Sequence, residues 1–360
     1  MGQPLNVGII GLGFISGQYL TTIGRLPSLK LVAVADINPA AAQAAADAQA
    51  ADARACTVDE LLAAPDVDLV LNLTTPAAHA EVALKAIAAG KSVYGEKPLA
   101  ATTGEARQIL EAAADAGLVV GCAPDTVLGT GVQTARKAID DGLIGAPISA
   151  TATMVVPGHE RWHPNPDFYY APGGGPLLDM GPYYVSALIT LLGPVSSVIG
   201  AASRRRSVRT IATGPRAGQV IPVSTDTHVT GVLTHTSGVL STIVMSFDAV
   251  ATQAAEIEVH GETGSLIVPD PNGFAGDAKL WTLADDDWQT LPVSAGYLDA
   301  GRGIGLADLA TNPGREPRAG GELAYHVLDV MESVLSSAES GRAVVLQSTA
   351  ARPPAVALTS

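Results

Sequence analysis

An apolar run from Leu5 to Ile10 stops at Gly11-Leu12-Gly13, and a helix-compatible stretch from Gly17 to Arg25 follows at once. This strand, glycine turn and helix constrain the chain more than any other feature. Without a side chain, Gly11 permits a tight turn, and Gly13 lets a pyrophosphate approach the backbone at a helix N-terminus. Phe14 and Ile15 complete the turn, and Ser16 stands at the third small-residue position. The next apolar run, Leu31 to Ala35, ends in Asp36, at the spacing of about twenty residues that a dinucleotide site requires. A carboxylate there accepts hydrogen bonds from the adenosine ribose diol and repels a 2′-phosphate. NAD is therefore expected rather than NADP. The alternative is that Asp36 only caps its turn.

The strand–helix alternation continues to about Gly121. Helical patterns cover 39–49, 58–63, 77–89 and 103–116, and strand-like runs cover 69–73, 92–94 and 118–121. Such alternation means a doubly wound parallel sheet. After helices over 132–141 and 179–192 the character changes. Runs over 195–202, 229–234, 239–247, 256–260 and 265–268, broken by Gly and Pro turns, suggest an antiparallel sheet, and 322–338 reads as a last helix. The expected fold class is α/β, with an N-terminal Rossmann domain over 1–123. A C-terminal α+β domain over 124–360 carries a large, mostly antiparallel sheet. With 360 residues the chain exceeds the usual size of one core.

The formal net charge of −14 makes nucleic acid and anionic lipid poor partners. Arg204, Arg205, Arg206 and Arg209 form the one cluster of like charge and read as a solvated strand edge or loop. No uncharged apolar stretch of about eighteen residues is present, so no membrane span is expected. Met1 to Asn6 lacks the basic start and apolar region of a signal peptide, and Cys56 and Cys122 form no disulfide framework, so a cytoplasmic protein is expected.

Two further constellations carry chemistry. Thr74-Thr75-Pro76 and Glu96-Lys97-Pro98 each follow a strand, on the rim where open parallel sheets bind ligands. His79 falls just inside the next helix, either near the cofactor or simply on the surface. A lysine at this rim stabilises an alkoxide or lowers the pKa of a neighbouring acid; the alternative is a solvated Lys97 beside a turn. In Gly173-Gly174-Gly175-Pro176-Leu177-Leu178-Asp179-Met180-Gly181-Pro182-Tyr183-Tyr184, Asp179 and Tyr183 are four apart and share a helix face. A Tyr beside a Lys over a nicotinamide is a proton-transfer pair; Asp179 as a cap and Tyr183 as core is the alternative.

These residues, with the hairpin-like run from Ile257 to Leu266, together resemble the glucose–fructose oxidoreductase / inositol dehydrogenase (Gfo/Idh/MocA) family over nearly the whole chain. The resemblance implies the two domains described, a sheet face that mediates homodimers or homotetramers, and Lys97, Asp179 and Tyr183 as the catalytic set. Inositol dehydrogenase-like members carry His where this chain has Tyr183. Where many members have an Asn/Tyr-Arg-Arg-like run that touches substrate, this chain has Ala123-Pro124-Asp125-Thr126, so Asp125 or Thr126 is expected in those contacts.

The segment His159-Glu160-Arg161-Trp162-His163 is dense in hydrogen-bonding groups and aromatics, which suits a polyol ring and its hydroxyls. Phe168, Tyr169 and Tyr170 close such a pocket or pack under the loop. His159 and His163 would suit a metal only in a helix, and Pro157 and Pro164 argue against one, so no metal is expected. The leading expectation is an NAD-dependent dehydrogenase acting on a secondary hydroxyl of a sugar, cyclitol or glycoside. One alternative is a glycoside hydrolase that uses tightly bound NAD, with oxidation, elimination, hydration and reduction in turn. There His159, Glu160 or His163 serves as the extra acid or base. A second alternative is a non-catalytic NAD-binding regulator.

Overall fold

The computed structural model describes residues 3–48, 53–312 and 314–359. The end of the second expected helix, at Gln49, lies outside them. Two compact units divide the chain: Met1–Leu128 with Asp299–Tyr325, and Gly129–Leu298 with His326–Ser360.

The first unit is built on β1 (Leu5–Ile10), α1 (Ser16–Arg25), β2 (Leu29–Ala35), α2 (Pro39–Ala48), β3 (Arg54–Cys56), α3 (Val58–Ala63), β4 (Leu69–Asn72), α4 (His79–Ala88), β5 (Ser92–Gly95), α5 (Thr103–Ala116) and β6 (Val120–Cys122). Among the described residues its sheet has six parallel strands in the order β3-β2-β1-β4-β5-β6. Strand order reverses between β1 and β4, which places a ligand crevice at the carboxyl ends there. Local chemistry sets several helix ends. Thr57 with Glu60, and Thr102 with Glu105, form reciprocal capping boxes that start α3 and α5. Val7–Ile10 of β1, Leu31–Ala35 of β2 and all of β4 are buried without alternation, the pattern of parallel strands covered on both faces.

The expected single boundary after residue 123 differs from what the structure shows. The division falls after Leu128, and 299–325 returns to the first unit. Cys122 N–H donates to Ala319 O at 3.0 Å, and Gly121 bridges Gly320 antiparallel. The exposed edge of β6 is thus paired by a distant segment, which no local pattern announces.

The second unit contains α6 (Thr130–Asp140), β7 (Pro147–Val155), α7 (Pro176–Leu192), β8 (Val195–Ser203), β9 (Val208–Thr210), β10 (Val220–Pro222), β11 (His228–His235), β12 (Leu240–Ser246), β13 (Ile257–Gly261), β14 (Gly264–Val268), β15 (Lys279–Thr282), β16 (Gln289–Thr290) and β17 (Val344–Val345). Among the described residues nine strands form one sheet, β16-β15-β14-β13-β7-β12-β11-β8-β17. Among the described residues of this sheet only β7 and β12 pair in parallel, so it is mostly antiparallel, as expected, and β13 and β14 form the expected hairpin. α7 covers one face. On that face Gly200 lets Val334, in the helix Gly321–Ser340, approach where a Cβ would collide with its backbone. On the opposite face Ile199, Val232 and Leu240 stay exposed among Thr and Ser side chains.

Candidate active site

The turn after β1 has the geometry of a dinucleotide cradle. Gly11 has φ +96°, and a Cβ there would lie 2.7 Å from the Leu73 carbonyl carbon, so only glycine fits. A Cβ on Gly13 would meet nothing within 4 Å, which leaves open space over the turn. Ser16 explains its place in the pattern: it is buried, and its hydroxyl donates to Gly13 O at 2.7 Å. Ile15 leads into α1. Phe14 is 96% exposed, and so is Ile37 at 98%, one residue beyond Asp36. An isoleucine left in solvent beside that carboxylate suits the flat face of an adenine; the sequence contained Ile37, but only its exposure singles it out.

Asp36 already works for the fold. Its Oδ2 accepts Leu12 N–H at 2.7 Å and its Oδ1 accepts Asn38 N–H at 2.8 Å. The turn-capping alternative is therefore present in the structure. It does not exclude a ribose contact, because a carboxylate offers about four lone-pair sites.

Two more rim loops are tied together by His79. It is buried rather than on the helix surface, with Nδ1 2.7 Å from Pro98 O and Nε2 3.1 Å from Thr74 O. His79 therefore clamps the Thr74-Thr75-Pro76 loop to the loop carrying Lys97, and Thr75 and Pro76 remain exposed at the rim. Glu96 turns inward: Oε1 accepts the Tyr19 hydroxyl at 2.7 Å and Oε2 accepts Lys97 N–H at 2.9 Å. Burial first, then the Glu96 charge, pushes the Tyr19 phenol well up, so it stays a donor. Glu96 and Tyr19 thus hold the backbone of Lys97, a partnership that sequence spacing does not reveal.

Asp125 is placed differently from the expectation. Its residue is 0% exposed, and Oδ2 accepts the N–H groups of Gly303 at 2.8 Å and Gly305 at 3.0 Å, at the start of the helix Ile304–Thr311. A side chain without exposed surface offers none to a substrate; Asp125 instead anchors the returning segment. Thr126 is equally buried.

In the second unit, Gly175 at φ +94° delivers the chain into α7 with Pro176 in its first turn, three residues earlier than the expected start. Asp179 and Tyr183 follow one turn apart, and both Tyr183 and Tyr184 are buried. Burial raises the Tyr184 phenol strongly. Asp179 is not a helix cap: its Oδ2 lies 3.0 Å from His159 Nε2. His159 itself packs against the rings of Phe247 at 4.3 Å, Tyr169 at 4.5 Å and Trp162 at 5.1 Å. Its Nδ1 accepts the Trp162 indole N–H at 3.2 Å.

The polar loop separates into two layers. Glu160 is buried and pairs with Arg209 at 3.1 Å while accepting the Tyr170 hydroxyl. Arg209 also pairs with Asp248, donates to Phe247 O at 3.1 Å and lies over the Tyr170 ring at 5.3 Å. Arg209 is thus 3% exposed, which corrects the reading of its cluster as wholly solvated. Tyr170 packs beneath the loop. Arg161 and Trp162 face outward, Trp162 at 56% exposure, while His163 is partly exposed and its Nδ1 accepts Asn165 N–H at 3.1 Å. Among the described residues no group of three or more His, Cys, Asp or Glu side chains could hold a metal ion, and no helix is long and apolar enough to cross a membrane.

A parallel sheet with this strand order, a glycine turn open to a pyrophosphate and an acid ending β2 define a dinucleotide-binding α/β protein. Residues 5–123 match the oxidoreductase family with NAD-binding Rossmann fold, and 132–267 match the GFO/IDH/MocA C-terminal domain. The chain is 31% identical to a 1,5-anhydro-D-fructose reductase of Ensifer adhaerens over 72% of this chain and 74% of that protein. It is 40% identical to an inositol 2-dehydrogenase of Agrobacterium fabrum, over 31% of this chain but only 33% of that protein. An NAD-binding oxidoreductase from Klebsiella pneumoniae superposes with a TM-score of 0.83 at 26% identity, covering 96% of this chain and 99% of that one. The chain belongs to the Gfo/Idh/MocA oxidoreductase family and is an NAD-binding enzyme of that family.

Proposed function

We propose that this enzyme is an NAD-dependent dehydrogenase that interconverts a secondary hydroxyl and a ketone on a sugar, cyclitol or related anhydro sugar. The observation that carries the reading is the Asp179–Tyr183 turn of α7, with Asp179 held by a buried histidine, in a chain that also bears the Gly11/Asp36 cradle and Lys97. The names of the two curated relatives supply the substrate class.

Gly11, Gly13, Phe14, Ile15, Asp36, Thr74, Thr75 and Pro76 would hold the dinucleotide, while Glu96 and His79 support the rim from behind. When bound, NAD supplies a hydride acceptor at its nicotinamide. Tyr183 takes the hydroxyl proton as the phenolate during oxidation and returns it as the phenol during reduction. The Lys97 ammonium stabilises the developing alkoxide. Asp179 accepts a substrate hydroxyl, and Arg161, Trp162 and His163 supply an exposed donor set and an aromatic face for the ring.

The hydrolase alternative needs an extra acid or base on the loop. Glu160 and His159 have their polar atoms engaged by Arg209, Tyr170, Asp179 and Trp162, which leaves the partly exposed His163, whose Nδ1 accepts Asn165 N–H, as the loop candidate for that role. The exposed sheet face with Ile199, Val232 and Leu240 supports a homodimer or homotetramer; light scattering giving a monomer at micromolar concentration would remove that part.

The test is nicotinamide absorbance against a panel of anhydrohexoses, hexoses and inositols with NAD. Lys97→Ala and Tyr183→Phe should each lower kcat by about a hundredfold or more. Unchanged turnover in Lys97→Ala, or no substrate in the panel, would count against the reading.

A further inference from the structure

We propose that His159 is a positioning residue for Asp179, and that Trp162 keeps the other ring nitrogen of His159 free of a proton. An indole N–H only donates, and an ionised carboxylate only accepts. Trp162 Nε1–H donates to His159 Nδ1 at 3.2 Å, so Nδ1 carries no hydrogen. The ring proton then sits on Nε2, 3.0 Å from Asp179 Oδ2, and points a donor at that carboxylate. Trp162, His159 and Asp179 form one directional chain of hydrogen bonds ending one helical turn before Tyr183.

The surroundings keep the chain rigid. The His159 side chain is 10% exposed and wedged between Tyr169 and Phe247. The His159 backbone N–H donates to Tyr170 Oη at 3.0 Å, and Tyr170 in turn donates to Glu160, which Arg209 holds. Ring, backbone and tautomer are therefore each determined by a different neighbour. Such support fixes the rotamer of a carboxylate far better than one exposed hydrogen bond would.

Two consequences follow. With Nδ1 occupied and Nε2 protonated, His159 has no lone pair to act as a general base, so it acts through Asp179 and is not a catalytic residue. Trp162 uses its one N–H on His159, so only its exposed ring face remains for a ligand, where the apolar C–H face of a sugar ring would stack. The aromatic platform and the acid one turn before Tyr183 are thereby linked through a single histidine.

The deciding measurement does not depend on the dehydrogenase reading. Long-range proton–nitrogen NMR at pH 7, on full-length protein with NAD+, reports which nitrogen of His159 bears hydrogen. The His159→Gln variant assigns the signal. The expected wild-type pattern has a protonated Nε2 and a bare Nδ1. In Trp162→Phe, Nε2 stays protonated against Asp179, and the Nδ1 signal should move toward the protonated type, because loss of the indole donor frees its lone pair to take a second proton. A wild-type ring protonated at Nδ1, or an unmoved signal in Trp162→Phe, overturns the proposal.

The kinetic arm rests on the dehydrogenase reading and uses whichever sugar the wild type oxidises. His159→Leu should lower kcat about tenfold, the loss of one hydrogen bond to a charged group, with little change in KM. His159→Gln, which keeps a donor amide, should recover most of it. Equal losses in Leu and Gln variants would make His159 merely structural and overturn the positioning role. If no sugar is oxidised at all, the function is wrong while the NMR result still judges the tautomer.

Discussion

Replacing Asp125 by Asn separates the role expected of this residue from the one its surroundings give it. Burial, opposed by hydrogen bonds from Gly305 and Gly303 and by the charge of Arg302, raises its carboxyl from 3.8 to about 6. That difference of about two pK units corresponds to roughly 3 kcal/mol, at about 1.4 kcal/mol per unit. The residue has no exposed surface, so solvent does not screen the effect. The sign runs against the usual aspartate. Because the folded value is raised, the favourable contribution is complete below the unfolded value of 3.8 and is lost as pH rises through about 6. At pH 8 the ionised carboxylate therefore opposes folding. Asn keeps one oxygen for the N–H groups of Gly303 and Gly305 and drops the charge. Asp125→Asn should be more stable than the wild type at pH 8, by up to about 3 kcal/mol, and the gain should shrink toward pH 4. Hydrogen exchange of the amides over 303–311, read by mass spectrometry at several pH values, measures it on the segment concerned. Asp125→Ala, which also loses the acceptor, should be less stable than Asp125→Asn at every pH. An Asn variant weaker than the wild type by more than about 1 kcal/mol at pH 8, or a gap that ignores pH, would refute the reasoning. A raised KM with unchanged exchange would instead restore Asp125 as a substrate contact.

Three other expectations can be checked with single variants. His326, whose Nε2 accepts Val195 N–H at 3.1 Å, is pushed by burial from 6.5 down to about 4. The unfolded chain takes up the proton first, so this group removes stability as pH falls from 6.5 towards 4, on the order of 3 kcal/mol in all. His326→Gln should flatten that slope in urea titrations, and an unchanged slope would contradict the burial argument. This trend opposes that of Asp125 in nearly the same window, so the two contributions largely offset each other there. Arg209→Leu strands the Glu160 and Asp248 carboxylates, and a loss of about 3–5 kcal/mol is expected; a loss under about 1 would mean the cluster is not structural. Asp36→Ser should raise the NADP-to-NAD ratio of kcat/KM at least about tenfold, through removal of charge beside the 2′ position, and an unmoved ratio would leave Asp36 as a turn cap alone.

What was legible in the sequence is what short-range chemistry controls. The Gly11 turn, the position of Asp36 at the end of β2 and the Asp179–Tyr183 spacing on α7 each depend on a few consecutive residues, because turns need particular φ values and helices repeat every 3.6 residues. The change from alternating strands and helices to successive strands was equally visible, and both sheets formed as that change implied. The dense loop at 159–163 stands out by composition, but residue types alone do not sort it into a buried and an exposed layer.

Tertiary structure decided the sorting, because partners of buried charges lie far away along the chain. Glu160 became structural only through Arg209, 49 positions on, and Asp125 became an anchor only through Gly303 and Gly305, 178 and 180 positions on. The tautomer of His159 required Trp162 and Asp179 to converge on one ring from a loop and a helix. The return of 299–325 to the first unit rests on backbone pairing with the edge strand β6. Periodicity along the chain reports which face of an element is apolar. It carries no information about which distant donor satisfies a given buried acceptor, and burial makes that satisfaction obligatory.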